Sequence, residues 1–288
     1  MASRHEFQIY LRHDLKRGLG GRWIYFLVAT ALFALVCGQL CQRHHQLLAA
    51  GDLAAAYAVE PALSLGDYWC YLFRGTDIFV PGDTDFRVNM LWVVIQVYLA
   101  FMVAQYPFED LAGYGQQLLL RAQKRTSWWL SKCVWITASV AVFYIVAMAT
   151  ILVFGVVSGA AISLEPHVGV QVYFSNMDVR HAGIGLWLTA VLLPFTASLS
   201  LSLVQMALSL LTRPLIGLVA VAAALAGAIF YNAEWLTGNY LMLLRVSLVD
   251  GPGLRSATGF LLSGVLIVAA VAAGIMIICK KDILSSSE

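Results

Sequence analysis

The chain has 288 residues, of which 60% are hydrophobic and only 12% charged, with a formal net charge of +2. A soluble domain carries roughly 25% charged residues, and here the apolar residues gather in runs long enough to cross a bilayer core, about 20 residues as helix. A soluble globular protein is excluded, and the small net charge argues nothing for a nucleic-acid partner.

In chain order, residues 1–22 come first. The stretch "HEFQIYLRHDLKRGLG" places Phe7, Tyr10, Leu11 and Leu15 on one helical face and Arg12, His13, Lys16 and Arg17 on the other. That pattern predicts an amphipathic helix lying in the membrane interface with its cations near anionic headgroups. A frayed basic tail is the plainer alternative. The N-terminus does not read as a cleaved signal, because the apolar run that follows exceeds a signal core and no small-x-small site closes it.

Residues 23–288 then predict an all-α polytopic membrane domain with six transmembrane helices, Trp23–Cys41, Asn89–Tyr106, Trp135–Val157, Gly183–Leu211, Pro214–Asn232 and Gly259–Cys279. The runs are too long and too little alternating for barrel strands. Pro214 falls at a first helical turn, where proline is tolerated, and Pro194 inside the long fourth run predicts a kink or tilt. With the N-terminus inside, twelve of the 18 lysines and arginines fall on inner segments, although the outer loops are longer. The positive-inside rule therefore predicts an N-in, C-in topology.

Between the spans, residues 42–88 form a long extracytoplasmic loop. Its stretch "DYWCYLFRGTDIFVPGDTDF" interleaves aromatics with Asp67, Asp77, Asp83 and Asp85, a pattern of an interfacial aromatic belt or of a docking surface. Cys41, His44 and His45 have ligand spacing, but three residues do not make a metal site. Residues 233–258 read as an outer re-entrant helical segment, with Tyr240, Leu241, Leu244 and Leu248 on one face and "DGPG" closing it.

No Asp, Glu, Lys, Arg or His lies deep in a span, which argues against an ion-driven transporter. Ser198, Ser202, Gln205 and Ser209 form a stripe on the fourth span, suited to interhelical hydrogen bonds or to lining a polar path. Ala220, Ala224 and Ala228, Ala269 with Ala273, and Ala270 with Gly274 are small-xxx-small sets that permit close helix approach. The chain holds no GxxxxGK[ST] phosphate loop, no HExxH and no GxSxG, and the serine-rich span has no midplane base to activate a nucleophile. An enzyme is not expected, and no metal or cofactor is expected in this chain.

The inner loop, residues 107–132, carries the strongest signal. Glu109 and Asp110 follow Pro107 where a helix start welcomes anions. Leu118, Arg121, Arg125, Trp128 and Lys132 fall on one helical face, and Trp128–Trp129 marks the interface where the third span begins. A bare connector needs only a few residues. The stretch "FEDLAGYGQQLLLRAQKRTSWWLSK", preceded by "DYWCYLFRG", resembles the inner loop of the permease subunits of bacterial type-2 ABC exporters, and the order of interfacial helix, spans and loops matches as well. The long first outer loop departs from many members of that family.

The resemblance implies a coupling loop in which Glu109 and Asp110 cap a helix while Arg121, Lys124 and Arg125 face an ATPase. The plainer alternative is that these cations meet lipid phosphates. It further implies two ABC ATPase subunits carrying ATP and Mg, a second permease chain that is identical or homologous, and surrounding membrane lipid. The location implied is the bacterial plasma membrane and the cargo an amphipathic solute such as an antimicrobial peptide, drug or lipid. Asn89 and Gln96 are the polar points expected along the translocation path. A non-transporting sensor or immunity protein that binds a peptide through its outer loops is the alternative function.

Overall fold

The computed structural model describes residues 2–82, 84, 86–111, 125–179, 184–247 and 253–280. Helix α1 (Ala2–His13) runs through a π-helical stretch at Asp14–Leu19 and a 3₁₀ turn at Gly20–Arg22 directly into α2 (Trp23–Ala49). The short helices α3 (Asp52–Ala56) and α4 (Leu65–Phe73) follow, then α5 (Met90–Ala104), α6 (Tyr106–Leu111) and the long α7 (Arg125–Ser158). After α8 (Val168–Ser175) and α9 (Ile184–Trp187), a π-helical stretch at Leu188–Leu192 leads into α10 (Leu193–Leu211). The chain closes with α11 (Pro214–Phe230), 3₁₀ turns at Thr237–Leu241 and Leu243–Arg245, a parallel pair β1 (Val246–Ser247) and β2 (Leu254–Arg255), and α12 (Ser256–Lys280).

The described residues are almost all helical. Five helices are long and apolar enough to cross a membrane: Phe7–Ala49, Met90–Leu111, Arg125–Ser158, Leu188–Leu211 and Ser256–Lys280. Pro214–Phe230 is equally apolar but shorter. Helix α7 is the central post and packs against α1, α2, α4, α10 and α12, while α10 packs against α5, α11 and α12. The serine stripe lies inside these contacts. Ser198 shares a hydrogen bond with Tyr144 of α7 at 3.0 Å, and Gln205 donates to the Ala100 carbonyl of α5 at 2.9 Å. Ala270 and Gly274 are buried, and the Trp129 ring lies so close to Gly274 that a Cβ there would come within 1.9 Å of it.

Several sequence expectations change. The N-terminal helix is not a separate element, since α1 and α2 form one helical path. Its buried stripe is Tyr10, Asp14 and Gly18, spaced four apart, whereas Leu15 is exposed. Every residue of α4, the aromatic "LGDYWCYLF", is buried in protein rather than spread along an interface. Trp69 donates to the Ala190 carbonyl at 3.0 Å, and the Phe73 and Tyr144 rings stack at 5.3 Å. Trp128 and Trp129 are likewise buried in protein. Pro194 sits in the first turn of α10, just after the wider π turns, which accommodate its missing N–H without a break in the helix. The segment expected to be one re-entrant helix is two 3₁₀ turns, with Leu248 outside the described residues.

Candidate functional site

The polar residues concentrate where the N-terminal end of the chain meets the join between the second and third long helices. Lys132, on the second turn of α7, is fully buried. Its Nζ lies 2.5 Å from Asp14 Oδ1 and 2.6 Å from Asp110 Oδ2. Three segments distant in sequence therefore close on one ammonium. Tyr106 donates to Asp14 Oδ1 at 2.8 Å, Ser131 donates to Asp14 Oδ2, and Trp128 Nε1 donates to Asp110 Oδ2 at 3.2 Å. His13 Nε2 lies 3.2 Å from Asp110 Oδ1. The faces of Tyr106 and Trp128 flank the ammonium at 4.7 and 5.3 Å from their centroids, where the ring quadrupole attracts a cation.

Local sequence explains the assembly. The π turns at Asp14–Leu19 set Asp14 and Gly18 on the face toward α7, and Gly18 has no Cβ to strike Trp135, whose Nε1 would lie 2.3 Å away. At the rim, Arg22 pairs with Glu109 and lies over the Tyr25 and Tyr106 rings. His13, Asp14 and Asp110 bring potential ligand atoms within 4.8 Å of one another. A metal ion there would have to displace the Lys132 ammonium, which already occupies the space between the carboxylates. The arrangement is an ionic clasp, one ammonium held between two carboxylates, and among the described residues it offers no open coordination site.

The residues expected at the coupling loop are placed as follows. The loop helix that Glu109 and Asp110 were expected to cap falls at 112–124, outside the described residues. Asp110 lies inside α6 with its carboxylate turned into the clasp. Glu109 is exposed and held by Arg22. Arg125 opens α7 half-buried, and Arg121 and Lys124 lie outside the described residues. Lys132, expected on the same face as Arg121 and Arg125, points inward. Asn89 is the N-cap of α5, accepting from the Trp92 N–H at 3.3 Å and donating to the Gly75 carbonyl at 3.2 Å. Gln96 is buried with Nε2 unpartnered among the described residues, beside a gap of about 10 Å³ where α5, α10 and α11 meet. That volume is close to the minimum that holds one water.

Two further polar assemblies stiffen the far side of the bundle. Asp67, fully buried, accepts from the Ser64 N–H at 2.9 Å, the His167 N–H at 2.8 Å, His167 Nδ1 at 2.7 Å and Gln171 Nε2 at 2.9 Å. The hydrogen bond to Asp67 raises the His167 pKa above its ordinary 6.5 and outweighs the opposing effect of burial. Arg245, also buried, uses all of its N–H groups. Nε donates to Thr76 O at 3.3 Å, Nη1 to Asn239 Oδ1 at 2.7 Å and to Ala228 O, and Nη2 to Asp77 O at 3.0 Å and Ile229 O at 2.8 Å. It thereby caps the carbonyls that α11 leaves unpaired at its end, with a cation where the helix dipole favours one.

Sequence reasoning missed the pairing of Asp14 with Lys132 and the role of Arg245, which the sequence alone does not distinguish from the other cations of the outer segments. The available signal for Asp14 was an acid four residues from both Tyr10 and Gly18, on the stripe that the helix buries.

These features define a multi-pass helical membrane protein with a buried ionic clasp at the N-terminal face. The chain belongs to the family described as a protein of unknown function, DUF2705, whose model matches residues 75–284. Asp110 and Lys132 lie within the matched region and Asp14 outside it. No curated protein and no solved structure matches the chain.

Proposed function

We propose that the chain is the permease subunit of a bacterial ABC exporter, a six-span, N-in and C-in protein of the plasma membrane. In this reading it moves an amphipathic solute using ATP hydrolysed by separate subunits. The span beyond the five long helices is α11, fifth in chain order, whose 17 residues reach only about 25 Å as helix. The observation that carries the reading is the clasp. Residues 107–132 leave α5 and rejoin α7 at a junction locked to the N-terminal helix by Lys132, Asp14 and Asp110. A force applied to such a segment is delivered to several long helices at once, whereas a slack connector would absorb it.

In this scheme Glu109, Arg121, Lys124 and Arg125 present charge to the ATPase, and Asp110 transmits rather than touches. An ATPase pair that binds one arrangement of the helices more tightly than another shifts their populations by that difference. A change from 1:99 to 99:1 requires about a 10⁴-fold preference. Nothing in the chain has to bind nucleotide.

Affinity purification of the full chain from its native membranes tests the proposal. An ABC ATPase is expected to co-purify, and the double reversal Arg121→Glu, Arg125→Glu is expected to reduce its yield severalfold. A purified assembly with no nucleotide-binding chain would sink the reading.

A further inference from the structure

At the end of α2 remote from the N-terminus, a cavity of about 500 Å³ opens between that helix, α3, α8 and the residue that follows α4. Cavities of a few hundred Å³ are the size that seats small molecules. Its walls include Arg43, Gln46, Leu53, Arg74, Tyr173 and Phe174, and none of the described lining residues is acidic. Arg43 is exposed and donates from Nη1 to the Tyr71 hydroxyl at 3.3 Å. Arg74 lies with its Cζ 6.0 Å from the same ring, so Tyr71 holds the two guanidinium groups near each other.

Arg74 is only partly matched. Nη1 donates to the Phe174 carbonyl, and Nη2 lies 3.5 Å from Asp77, a carboxylate 44% exposed. Its Nε is buried with no partner among the described residues. One acid beside two arginines leaves the cavity net positive, an imbalance that a bound anion removes.

What adjoins the cavity points to the kind of anion. Trp23, Ile24, Leu27, Val28 and Leu35 are exposed on α2 while Ala29, Phe33, Val36 and Leu40 are buried, so one face of the helix is an open apolar stripe. From Val28 and Leu35, helical steps of seven and four residues lead to Gln42, Arg43 and Gln46, all exposed. Trp23 and Arg43 stand about 30 Å apart along the axis, the thickness of a hydrocarbon core. A chain lying on the stripe therefore ends its headgroup at the cavity.

We propose that this cavity binds the phosphate-bearing headgroup of an anionic membrane amphiphile, with its hydrocarbon tail laid along α2. Guanidinium forks recognise phosphate oxygens by paired, charge-assisted hydrogen bonds, and a terminal phosphate has enough oxygens to face both arginines. The stripe on α2 favours a lipid-borne phosphate over a soluble one. Binding needs no ATPase, so the inference stands or falls apart from the exporter reading.

Native mass spectrometry of the full chain in neutral detergent tests it, using short-chain phosphatidic acid, phosphatidylcholine of the same chain length and inorganic phosphate as probes. Phosphatidic acid is expected to be retained about tenfold better than phosphatidylcholine, and Arg43→Gln to remove most of that preference. Arg213→Gln, an exposed arginine that precedes α11 at the opposite end of the bundle, is expected to leave it intact. Arg43 serves as the main probe because Arg74 also holds the Phe174 carbonyl and its loss endangers the fold. No preference in the unaltered protein, or equal losses in the Arg43 and Arg213 variants, would overturn the site. Displacement by inorganic phosphate as readily as by phosphatidic acid would overturn the lipid assignment.

Discussion

An ammonium taken out of water between two carboxylates gains little net stability, because desolvating the charges costs about as much as their attraction returns. Removing one member is a different matter, since the others are then left buried and unmatched. Lys132→Met is therefore expected to destabilise the protein by about 3–5 kcal/mol. The triple variant Asp14→Asn, Lys132→Met, Asp110→Asn is expected to recover most of that loss, as read from unfolding midpoints in detergent. A triple variant no more stable than the single one would show that the clasp is not a closed electrostatic unit. His167 gives a pH-dependent counterpart on the far side. Its folded pKa is raised, so its contribution is fully present below the unfolded value of 6.5 and is lost as pH rises through the higher folded value. Because His167 is partly exposed, solvent screening keeps the effect small. The protection of α8 amides relative to their intrinsic exchange rate is expected to fall across that rise in the native protein, and to show no such step in His167→Gln.

At the scale of elements, contacts that depend on small residues are the ones that a substitution can open. The Trp129 indole fills the space over Gly274 and donates to the Val271 carbonyl at 3.0 Å, joining α7 to α12. Gly274→Val is expected to push the helices apart at a cost of about 1–3 kcal/mol, whereas Ala269→Val, on an exposed face, is expected to be near neutral. Arg245→Lys keeps the charge but not the planar fork, so the Ala228 and Ile229 carbonyls lose partners. Faster hydrogen exchange at the end of α11 is the expected sign, with α12 unaffected.

This is also the scale at which the sequence was most legible. Hydrophobic runs located the long helices, and small-residue spacing singled out Ala270 and Gly274. Long-range choices were not legible. Nothing local distinguishes Lys132, whose partners lie 118 and 22 residues away, from a lysine facing water. Periodicity gave Phe7 and Leu11 and the basic residues a face each, but the stripe that is buried carries Asp14, an acid whose burial makes sense only once α7 supplies the counter-charge. The aromatic run Leu65–Phe73 has the composition of an interfacial belt and of a core helix alike, and only packing against α2, α7 and α8 separates the two.

For the whole molecule, the polar assemblies lie toward the two ends of a bundle whose interior is joined by neutral hydrogen bonds from serines and Gln205. If the clasp transmits and the loop charges dock, the two kinds of variant should separate. Arg121→Glu with Arg125→Glu is expected to release an ATPase from a chain that still folds. Lys132→Met is expected to lower stability whether or not a partner is bound. Loss of stability in both, with no change in partner yield, would show that the loop is a structural brace and nothing more.

The π-helical and 3₁₀ turns at Asp14–Arg22 have one last implication. They are the one departure from α-helical geometry in a path that runs from Ala2 to Ala49 and carries Arg43 near its far end. A wide turn that tightens, or a tight one that widens, changes both the rise and the rotation of everything beyond it. A small axial or twisting displacement of the first dozen residues therefore has two outlets. It is taken up within those nine residues, or it turns the far end of the path.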